Sequence, residues 1–345
     1  MKILSSIEIR YIVQEIQFLL DSKVDQIYQP NTEELILALH KTNQGKKLLR
    51  LVPGTCLYLA SKKSPSPTEQ LNFCKYLRKR LLNSRLKSIE QKNMERIVEL
   101  HFESKDSKFI LITEFFSKGN IIFCDSEYNI LSALQFQSWK DRTIKTKVKY
   151  EYPPAKKLNY SLEDFKNLIA TSNKESIVKT LAMSLNLGGL YAEELCLRSR
   201  IDKTQKTLSE SETKIVYKEL QKLLTEKSEP NLLPENPVPI KLSSGEGKKF
   251  PTYNEALDSY YSQFIQNSEE EIKEDPKLKK YQEILKDQES QYKDIELSIQ
   301  ENRFKGEYIY NNYMELQELI ENFRNKKPFP KTIKIENKTL ILEIK

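Results

Sequence analysis

A heptad pattern near the end of the chain constrains the fold most. Apolar residues recur at two positions of a seven-residue repeat, which is typical of a long helix that packs against another. The first position carries Leu278, Leu285, Tyr292, Ile299, Gly306, Tyr313 and Ile320. The second carries Tyr281, Gln288, Ile295, Asn302, Ile309, Leu316 and Phe323. Three members of the pattern are weak: Gln288, Asn302 and Gly306. Unbroken, this helix would extend about 72 Å. Because one side is apolar, we expect a partner helix from the same chain or another.

The first third of the chain is predicted to be an α+β domain. Ser5 and Glu8 have the spacing of a capping box, and apolar residues at helical spacing follow as far as about Asp21. Short apolar segments separated by turn residues then predict an antiparallel sheet. The predicted strands are Val24–Tyr28, Leu35–Leu39, Leu48–Val52, Thr55–Leu59, Ile97–Phe102, Phe109–Phe115 and Asn120–Phe123.

Positive charge is concentrated in one stretch. Residues 62–96 hold ten Lys or Arg against three Glu, a net charge of +7 that equals that of the whole chain. The spacing predicts a helix in this stretch with Ser66 as its N-cap and Pro67 at its first position. Its outer arc would present Lys75, Arg78 and Lys79, and Arg85 follows. Such a surface suits nucleic-acid phosphates, although a solvated lysine-rich face is the alternative. A second basic run spans residues 140–157.

A helical pattern follows from about Ser161 to Leu224, and another helix is predicted at about Tyr253–Gln266. Within the first pattern, residues 181–196 read as two helices joined by a tight turn at Gly188 and Gly189, the form of a helix-hairpin-helix element. Glycines let a backbone approach a phosphate, and the second helix would offer free N–H groups. A packed helical hairpin whose glycines only make the turn is the alternative. Residues 229–250 form a proline-rich connector with a short predicted strand.

Composition argues against several classes of protein. No apolar run is long enough to span a membrane, and no export signal precedes the first helix, which predicts a cytoplasmic protein. The four cysteines are isolated and are predicted to be buried. With only two histidines, a zinc site or a histidine-based triad is hard to assemble. We therefore expect no cofactor, no metal and no catalytic residue.

Four segments, in this order and spacing, resemble the NFACT family of ribosome-associated quality-control factors. They are Glu114-Phe-Phe-Ser-Lys-Gly-Asn with Tyr128-Asn-Ile-Leu, Leu187-Gly-Gly-Leu-Tyr-Ala-Glu-Glu-Leu with Ile201-Asp202, Phe250-Pro-Thr-Tyr-Asn-Glu-Ala-Leu, and Lys305-Gly-Glu-Tyr-Ile-Tyr. The resemblance implies an N-terminal domain similar in fold to formamidopyrimidine-DNA glycosylases, a helix-hairpin-helix domain and a coiled-coil arm. It places these at residues 1–155, 156–267 and 268–327, with the start of a middle domain at 328–345.

The resemblance also implies a function. Family members bind a large ribosomal subunit that still carries peptidyl-tRNA, and they recruit tRNA for template-free C-terminal tailing of the stalled chain. The tails of the bacterial members consist of alanine, so the resemblance implies alanyl-tRNA as the tRNA that is recruited. The ribosome itself makes the peptide bond, so the family protein positions substrates and is not a classical enzyme.

Family members carry an Asp-Arg pair before a strand and an acidic residue early in the first helix. Both are needed for tRNA recruitment and tailing in the family. The counterparts here are Glu95-Arg96 and Glu8. Glutamate for aspartate keeps the charge but adds a methylene. The alternatives are a surface ion pair between Glu95 and Arg96 and a Glu8 that only completes its capping box.

Other functions compete with this one. Complete family members continue beyond this length, so we expect a fragment, or half of a split protein whose other half completes the coiled coil. A DNA-repair glycosylase is disfavoured because the chain begins Met1-Lys2-Ile3 and lacks a zinc finger. An adhesin would need an export signal. A coiled-coil scaffold or a general RNA-binding protein without tailing activity remains the alternative.

Overall fold

The computed structural model describes residues 1–65, 67, 69–139, 142–153, 161–234, 236–243, 245, 247–274, 276–325, 334–336 and 339–341. The chain divides into two compact units, Met1–Asn267 and Ser268–Lys345. The predicted domain boundary at residue 155 lies outside the described residues. Each unit is described by itself below.

The first unit contains a large antiparallel sheet, as predicted. Helix α1 (Ser6–Glu15) opens the chain and ends in a turn of 3-10 helix (Ile16–Leu19), and α2 (Asn72–Leu81) lies between the fourth and fifth strands. The strands are β1 (Lys23–Asn31), β2 (Glu34–Lys41), β3 (Gly45–Val52), β4 (Cys56–Ala60), β5 (Arg85–Gln91), β6 (Ile97–Glu103), β7 (Lys108–Glu114), β8 (Asn120–Asp125) and β9 (Ile130–Ala133). Their order is β4-β3-β2-β1-β5-β6-β7-β8-β9. A short ribbon follows, β10 (Gln137–Ser138) with β11 (Thr143–Ile144).

The sheet curls over α1. Strands β1 and β5 meet at a single residue pair, Lys23 opposite Arg85, so the sheet consists of two halves joined at a narrow seam. The turn after β3 reaches the end of β7, where the Gly54 amide donates to the Glu114 carbonyl at 3.0 Å. The apolar face of α1 is fully buried beneath the sheet, because its apolar side chains recur at helical spacing. Burial of this face is the main stabilising contribution of the helix.

A buried carboxylate lies on the other face of the sheet. Glu99 of β6 is fully buried, pairs with Lys92 at 3.1 Å and accepts hydrogen bonds from Tyr128 at 3.0 Å and from Tyr152. Burial alone would raise the pKa of this carboxyl, but hydrogen bonds from His101, Tyr152 and Lys92 outweigh it and hold the pKa below its usual value. These bonds attach the segment after β8 to the sheet.

Helices form most of the remainder of the first unit. They are α3 (Leu162–Ala170), α4 (Ile177–Ser184), α5 (Gly188–Ser199), α6 (Glu210–Thr225) and the start of α7 (Tyr253–Glu274), which continues past Asn267. The predicted connector holds three short strands, β12 (Asn231–Leu233), β13 (Asn236–Val238) and β14 (Lys248–Lys249), in the order β13-β12-β14. The start of α7 docks on the sheet edge, where the Asn254 side chain bonds both the amide and the carbonyl of Leu59, at 2.6 and 3.0 Å.

The second unit holds the predicted long helix. Helix α8 (Pro276–Asn311) has 36 residues, about 54 Å, and α9 (Tyr313–Arg324) follows it. From Tyr281 onward the apolar heptad residues of α8 are exposed, Tyr292 by 64% and Ile295 by 59%. Strands β15 (Lys334–Glu336) and β16 (Thr339–Ile341) pair antiparallel.

Three details of the sequence prediction were wrong. The long helix breaks at Asn312, whose φ and ψ are −115° and 25° and whose side chain bonds the Tyr308 carbonyl at 2.9 Å, a local bond that competes with helix formation. Helix α2 begins at Asn72 and not at Pro67, because buried apolar contacts start only with Phe73. The predicted N-cap residue, Ser66, lies outside the described residues. Strands β5 and β9 were missed, and in β5 a bulge after Leu86 interrupts the alternation.

Candidate nucleic-acid interface

Three segments that are distant in sequence meet at one polar junction. They are the start of α1, the turn between β5 and β6, and the turn between α4 and α5. The Gln91 side chain donates to the carbonyls of Ser6, at 2.8 Å, and Glu95, at 2.9 Å. The Ser6 hydroxyl donates to the Asn186 carbonyl at 2.6 Å. We call these three segments the junction. It brings Glu8, Glu95 and the glycine turn into one region.

Glu95 is held by the helical hairpin and not by its neighbour Arg96. The Asn186 amide donates to the Glu95 carboxylate at 2.8 Å, across 91 residues of sequence. Burial raises the pKa of the half-buried Glu95 carboxyl, although the Asn186 hydrogen bond and the Arg96 charge oppose the rise. Asn186 was not identified from the sequence. The signal available in the sequence was an asparagine two residues before Gly188. Asparagine tolerates a positive φ better than most residues, and Asn186 adopts a φ of +55°.

The Arg96 guanidinium forms no ion pair with a described residue, although the Glu95 charge acts on it. Arg96 is half-buried, and burial lowers the pKa of its guanidinium. Because the usual pKa of arginine is very high, the group still stays charged at neutral pH. Among the residues that the structure describes, no carboxylate lies within ion-pair distance of it. Its carbonyl accepts a hydrogen bond from the Phe115 amide at 2.8 Å, which fixes its backbone. A partly desolvated, unpaired guanidinium is suited to a phosphate or carboxylate from outside the chain.

Glu8 lies inside the protein, with its side chain 1% exposed. It completes the predicted capping box with Ser5 and accepts a hydrogen bond from the Tyr191 hydroxyl at 2.9 Å. It also pairs with the Lys2 ammonium at 2.5 Å. Its carboxylate therefore connects α1 to α5 and to the chain start, and in this structure it is not placed to touch a ligand directly.

The two glycines differ in their surroundings. Gly188 has φ of +77°, and a Cβ added there would lie 3.6 Å from the Ser5 side chain, so the glycine turn packs close to the start of α1. Gly189 is exposed and has open space around it. The first amides of α5 lack intrahelical partners, as at every helix start.

The predicted basic surface lies mainly on α2, which packs on β1. Lys75 and Lys79 are exposed, and Lys75 pairs with Glu69 at 3.7 Å. Arg78 is half-buried and donates to the Ile27 carbonyl at 2.7 Å, and Arg85 donates to the Asp21 carbonyl at 2.9 Å. Both arginines keep their charge, since a carbonyl partner does not neutralise it.

A cluster of cations around Tyr28 was not predicted. Lys63, Arg78 and Lys46 lie 4.4, 5.8 and 5.9 Å from the centre of its ring. Of these three, Lys46 pairs with a carboxylate, that of Asp25 at 3.1 Å. The aromatic ring lowers the cost of placing like charges close together. The cluster extends the positive surface from α2 onto the first strands of the sheet.

The fold and the junction define a mixed α+β protein in which a curved antiparallel sheet and a helical hairpin share one polar surface. The chain belongs to the NFACT family, because residues 5–339 match the family described as NFACT N-terminal and middle domains. The resemblance identified in the sequence is thereby confirmed.

Relatives include the archaeal Rqc2 homolog aRqcH of Methanocaldococcus jannaschii, which is 32% identical over 347 residues and matches 93% of this chain and 52% of its own length. The human ribosome quality control complex subunit NEMF is 25% identical, over 93% of this chain and 34% of its own length. The chain thus spans about half or less of these relatives.

Solved structures share the fold of the first unit. The N-terminal part of the fibronectin/fibrinogen-binding protein of Streptococcus suis superposes with a TM-score of 0.63 at 23% identity, over 75% of this chain and 99% of that one. The fibrinogen-binding protein of Staphylococcus aureus gives 0.59 at 21%, over 74% and 98%. No helix among the described residues is long and apolar enough to cross a membrane.

Proposed function

We propose that this chain acts in ribosome-associated quality control, where it binds the obstructed large ribosomal subunit and recruits tRNA for template-free C-terminal tailing. Its relatives are named as an Rqc2 homolog and a ribosome quality control complex subunit, which supports a role in this process. The observation that carries the tRNA-recruiting step is the Arg96 guanidinium, which is half-buried and has no acidic partner among the described residues, next to the positioned carboxylate of Glu95.

In this proposal the junction recognises a nucleotide through two kinds of contact. Arg96 donates to a phosphate or stacks on a base, and Glu95 accepts from a base amine or a ribose hydroxyl. The additional methylene of glutamate, relative to aspartate, supports the contact with Asn186 at 2.8 Å, which holds the carboxylate in place. The exposed amides after Gly188 are available to a neighbouring phosphate. The chain contributes binding and orientation, while the ribosome forms the peptide bond.

Replacing Arg96 by alanine is expected to weaken tRNA binding about ten- to hundredfold, because a hydrogen bond to a charged group contributes about 1.5–3 kcal/mol and each 1.4 kcal/mol is a factor of ten. Binding to large ribosomal subunits is expected to change by less than about threefold, since the subunit also contacts other parts of the chain. Filter binding with tRNA and co-sedimentation with large subunits measure the two affinities.

Arg200→Ala is the matched control, because it removes the same charge from an exposed position of the first unit outside the junction. Arg96→Lys tests the geometry, since lysine keeps the charge but loses the planar fork. An equal loss of tRNA and subunit binding in Arg96→Ala would mean that Arg96 acts only through the structure.

Replacing Lys75, Arg78 and Lys79 together by alanine is expected to weaken RNA binding and to flatten its dependence on salt. Each phosphate contact that is lost should lower the log–log slope by about 0.7–0.9. Affinities for tRNA and for large subunits measured over a series of salt concentrations give this slope.

The control removes the same charge from one face of α6, through Lys214, Lys218 and Lys222, which are all exposed. Equal slopes for the two triple variants would remove α2 from the RNA-binding surface. Affinity that does not depend on salt even in the unaltered chain would favour the second candidate, a scaffold that binds through the exposed apolar stripe of α8.

A further inference from the structure

The ribbon formed by β10 and β11 exposes two large aromatic rings. Trp139 is the single tryptophan of the chain and is 51% exposed, and Phe136 is 58% exposed. Large aromatic side chains usually lie in cores or at binding surfaces, because leaving them in water forgoes their burial energy. Two such rings within four residues of each other are a candidate binding surface.

Each ring borders a cleft that also contains a lysine. Trp139 lines a cleft of about 360 Å³ together with Phe116 and Lys118. Phe136 lines another of about 590 Å³ together with Lys145. Gln137 and Ser138 of β10 line both clefts, so the two clefts lie on the two sides of one ribbon. The ribbon therefore offers aromatic and cationic groups on each side.

The charge around the ribbon is positive and not neutralised. Lys118, Lys145 and Lys147 are exposed, and in the described part of the chain none of them has an acidic side chain within ion-pair distance. Among the described residues, the carboxylate that lines these clefts is that of Glu114, which is 3% exposed and already pairs with Arg142. In this part of the chain an incoming anion would thus find lysines without competing described carboxylates.

The ribbon is held firmly to the sheet. The Asn120 side chain donates to the Gln135 carbonyl at 2.8 Å and accepts from its amide at 3.1 Å. The Trp139 amide donates to the Arg142 carbonyl at 2.8 Å, and the Arg142 side chain is fixed on buried Glu114. A surface held in this way loses little conformational entropy when a ligand binds.

We propose that this ribbon binds a single-stranded nucleic acid, RNA in the context of the function proposed above, with unpaired bases stacked on Trp139 and Phe136 and phosphates against Lys118 and Lys145. Exposed aromatic rings with unpaired cations beside them are the two elements of single-strand binding surfaces. A protein partner fits less well, because lysine is depleted at protein–protein interfaces. The surface is a contact additional to the junction and does not depend on the role of Arg96.

Trp139 provides its own probe. Because the chain has one tryptophan, fluorescence excited where tyrosine does not absorb reports only on this ribbon. Titrating the whole chain with oligouridylate is expected to quench this fluorescence, and oligothymidylate should do the same because it has the same stacking faces and phosphates. A duplex of equal length, whose bases are already stacked, is expected to bind at least tenfold more weakly at this site. Equal quenching by the duplex would overturn the proposal.

Substitution provides the second measurement. Trp139→Ala is expected to weaken binding of a labelled oligouridylate about five- to hundredfold, as removal of one stacking ring does, while Trp139→Phe keeps most of the affinity. Ile215→Ala is the matched control, since it truncates a side chain that is 48% exposed on α6. Thermal melting checks that each variant folds.

Unchanged oligouridylate affinity in Trp139→Ala would overturn the proposal, and if binding of large subunits fell at the same time the ribbon would be a protein contact. The test of the ribbon can fail or succeed independently of the test of Arg96 at the junction. Arg96→Ala should leave the Trp139 quenching intact, so an Arg96 variant without effect on tRNA would reject the tRNA-recruiting role and leave this surface standing.

Discussion

Replacing Glu8 by alanine is expected to lower the free energy of unfolding by about 3–5 kcal/mol, the range found when one partner of a buried ion pair is removed. Glu8 and Lys2 are both buried, with side chains 1% and 7% exposed, and their charged atoms are 2.5 Å apart. Without the carboxylate, the Lys2 ammonium loses its anionic partner in a poorly solvated position, although it still donates to the Pro237 carbonyl at 2.9 Å. The Tyr191 hydroxyl loses the acceptor to which it donates at 2.9 Å. Urea denaturation at neutral pH measures the change.

Two variants separate charge from shape. Glu8→Gln keeps the size of the side chain and its hydrogen-bonding oxygen but removes the charge, so an intermediate loss is expected. Combining it with Lys2→Met removes both charges and should recover part of the stability, because no unpaired ammonium remains. Glu175→Ala is the control, since Glu175 is exposed and pairs only with Lys179 on the surface. A loss in Glu8→Ala as small as that in the control would contradict the buried ion pair.

The same variants test whether Glu8 has a role in the tRNA binding proposed above. Its burial indicates a positioning role, in which the carboxylate holds α1 against Tyr191 and thereby holds the hairpin turn that carries Asn186. Folded Glu8→Gln with normal tRNA affinity would mean that the charge itself is not needed at the junction. Lost affinity in a variant with wild-type stability would instead indicate direct contact.

Replacing Gly119 by alanine is expected to cost about 2–4 kcal/mol, the sum of about 1 kcal/mol for the left-handed backbone and about 1–3 kcal/mol for overpacking. Gly119 has φ of +67°, and an added Cβ would lie 1.9 Å from the Gly54 nitrogen and 2.4 Å from the Pro53 carbonyl carbon. Those atoms are backbone and cannot rotate away. The two turns that close the curled sheet would have to separate, which denaturant unfolding detects as a lower midpoint.

Gly45→Ala is a close match for this substitution. Gly45 has φ of +71°, nearly the same backbone strain, but nothing lies within 4 Å of the added Cβ. It should cost only about 1 kcal/mol. Equal costs for the two variants would show that the turns at Gly54 and Gly119 are free to move apart, and that the sheet does not depend on their contact.

Much of the local structure follows from the sequence. The capping box of Ser5 and Glu8, the alternating strands, the pair of helices around the turn at Gly188 and the long helix of the second unit are all present in the structure. Capping and hydrophobic periodicity depend on neighbours a few residues away, so they can be predicted from the sequence. Prediction failed where local patterns were interrupted, at the bulge in β5 and at the break in the long helix at Asn312.

The candidate site, unlike the helices and strands, depends on contacts between segments that are distant in sequence. The sequence by itself determined which residues carry charge, which turns need glycine, and that Glu95 and Arg96 stand just before a strand. Only the tertiary structure decided that Glu95 bonds Asn186 and not Arg96, and that Glu8 is buried against Tyr191, 183 residues away. The physical reason is that the partner and the desolvation of a polar group depend on which segments pack around it, and packing between distant segments leaves no periodic trace in the chain.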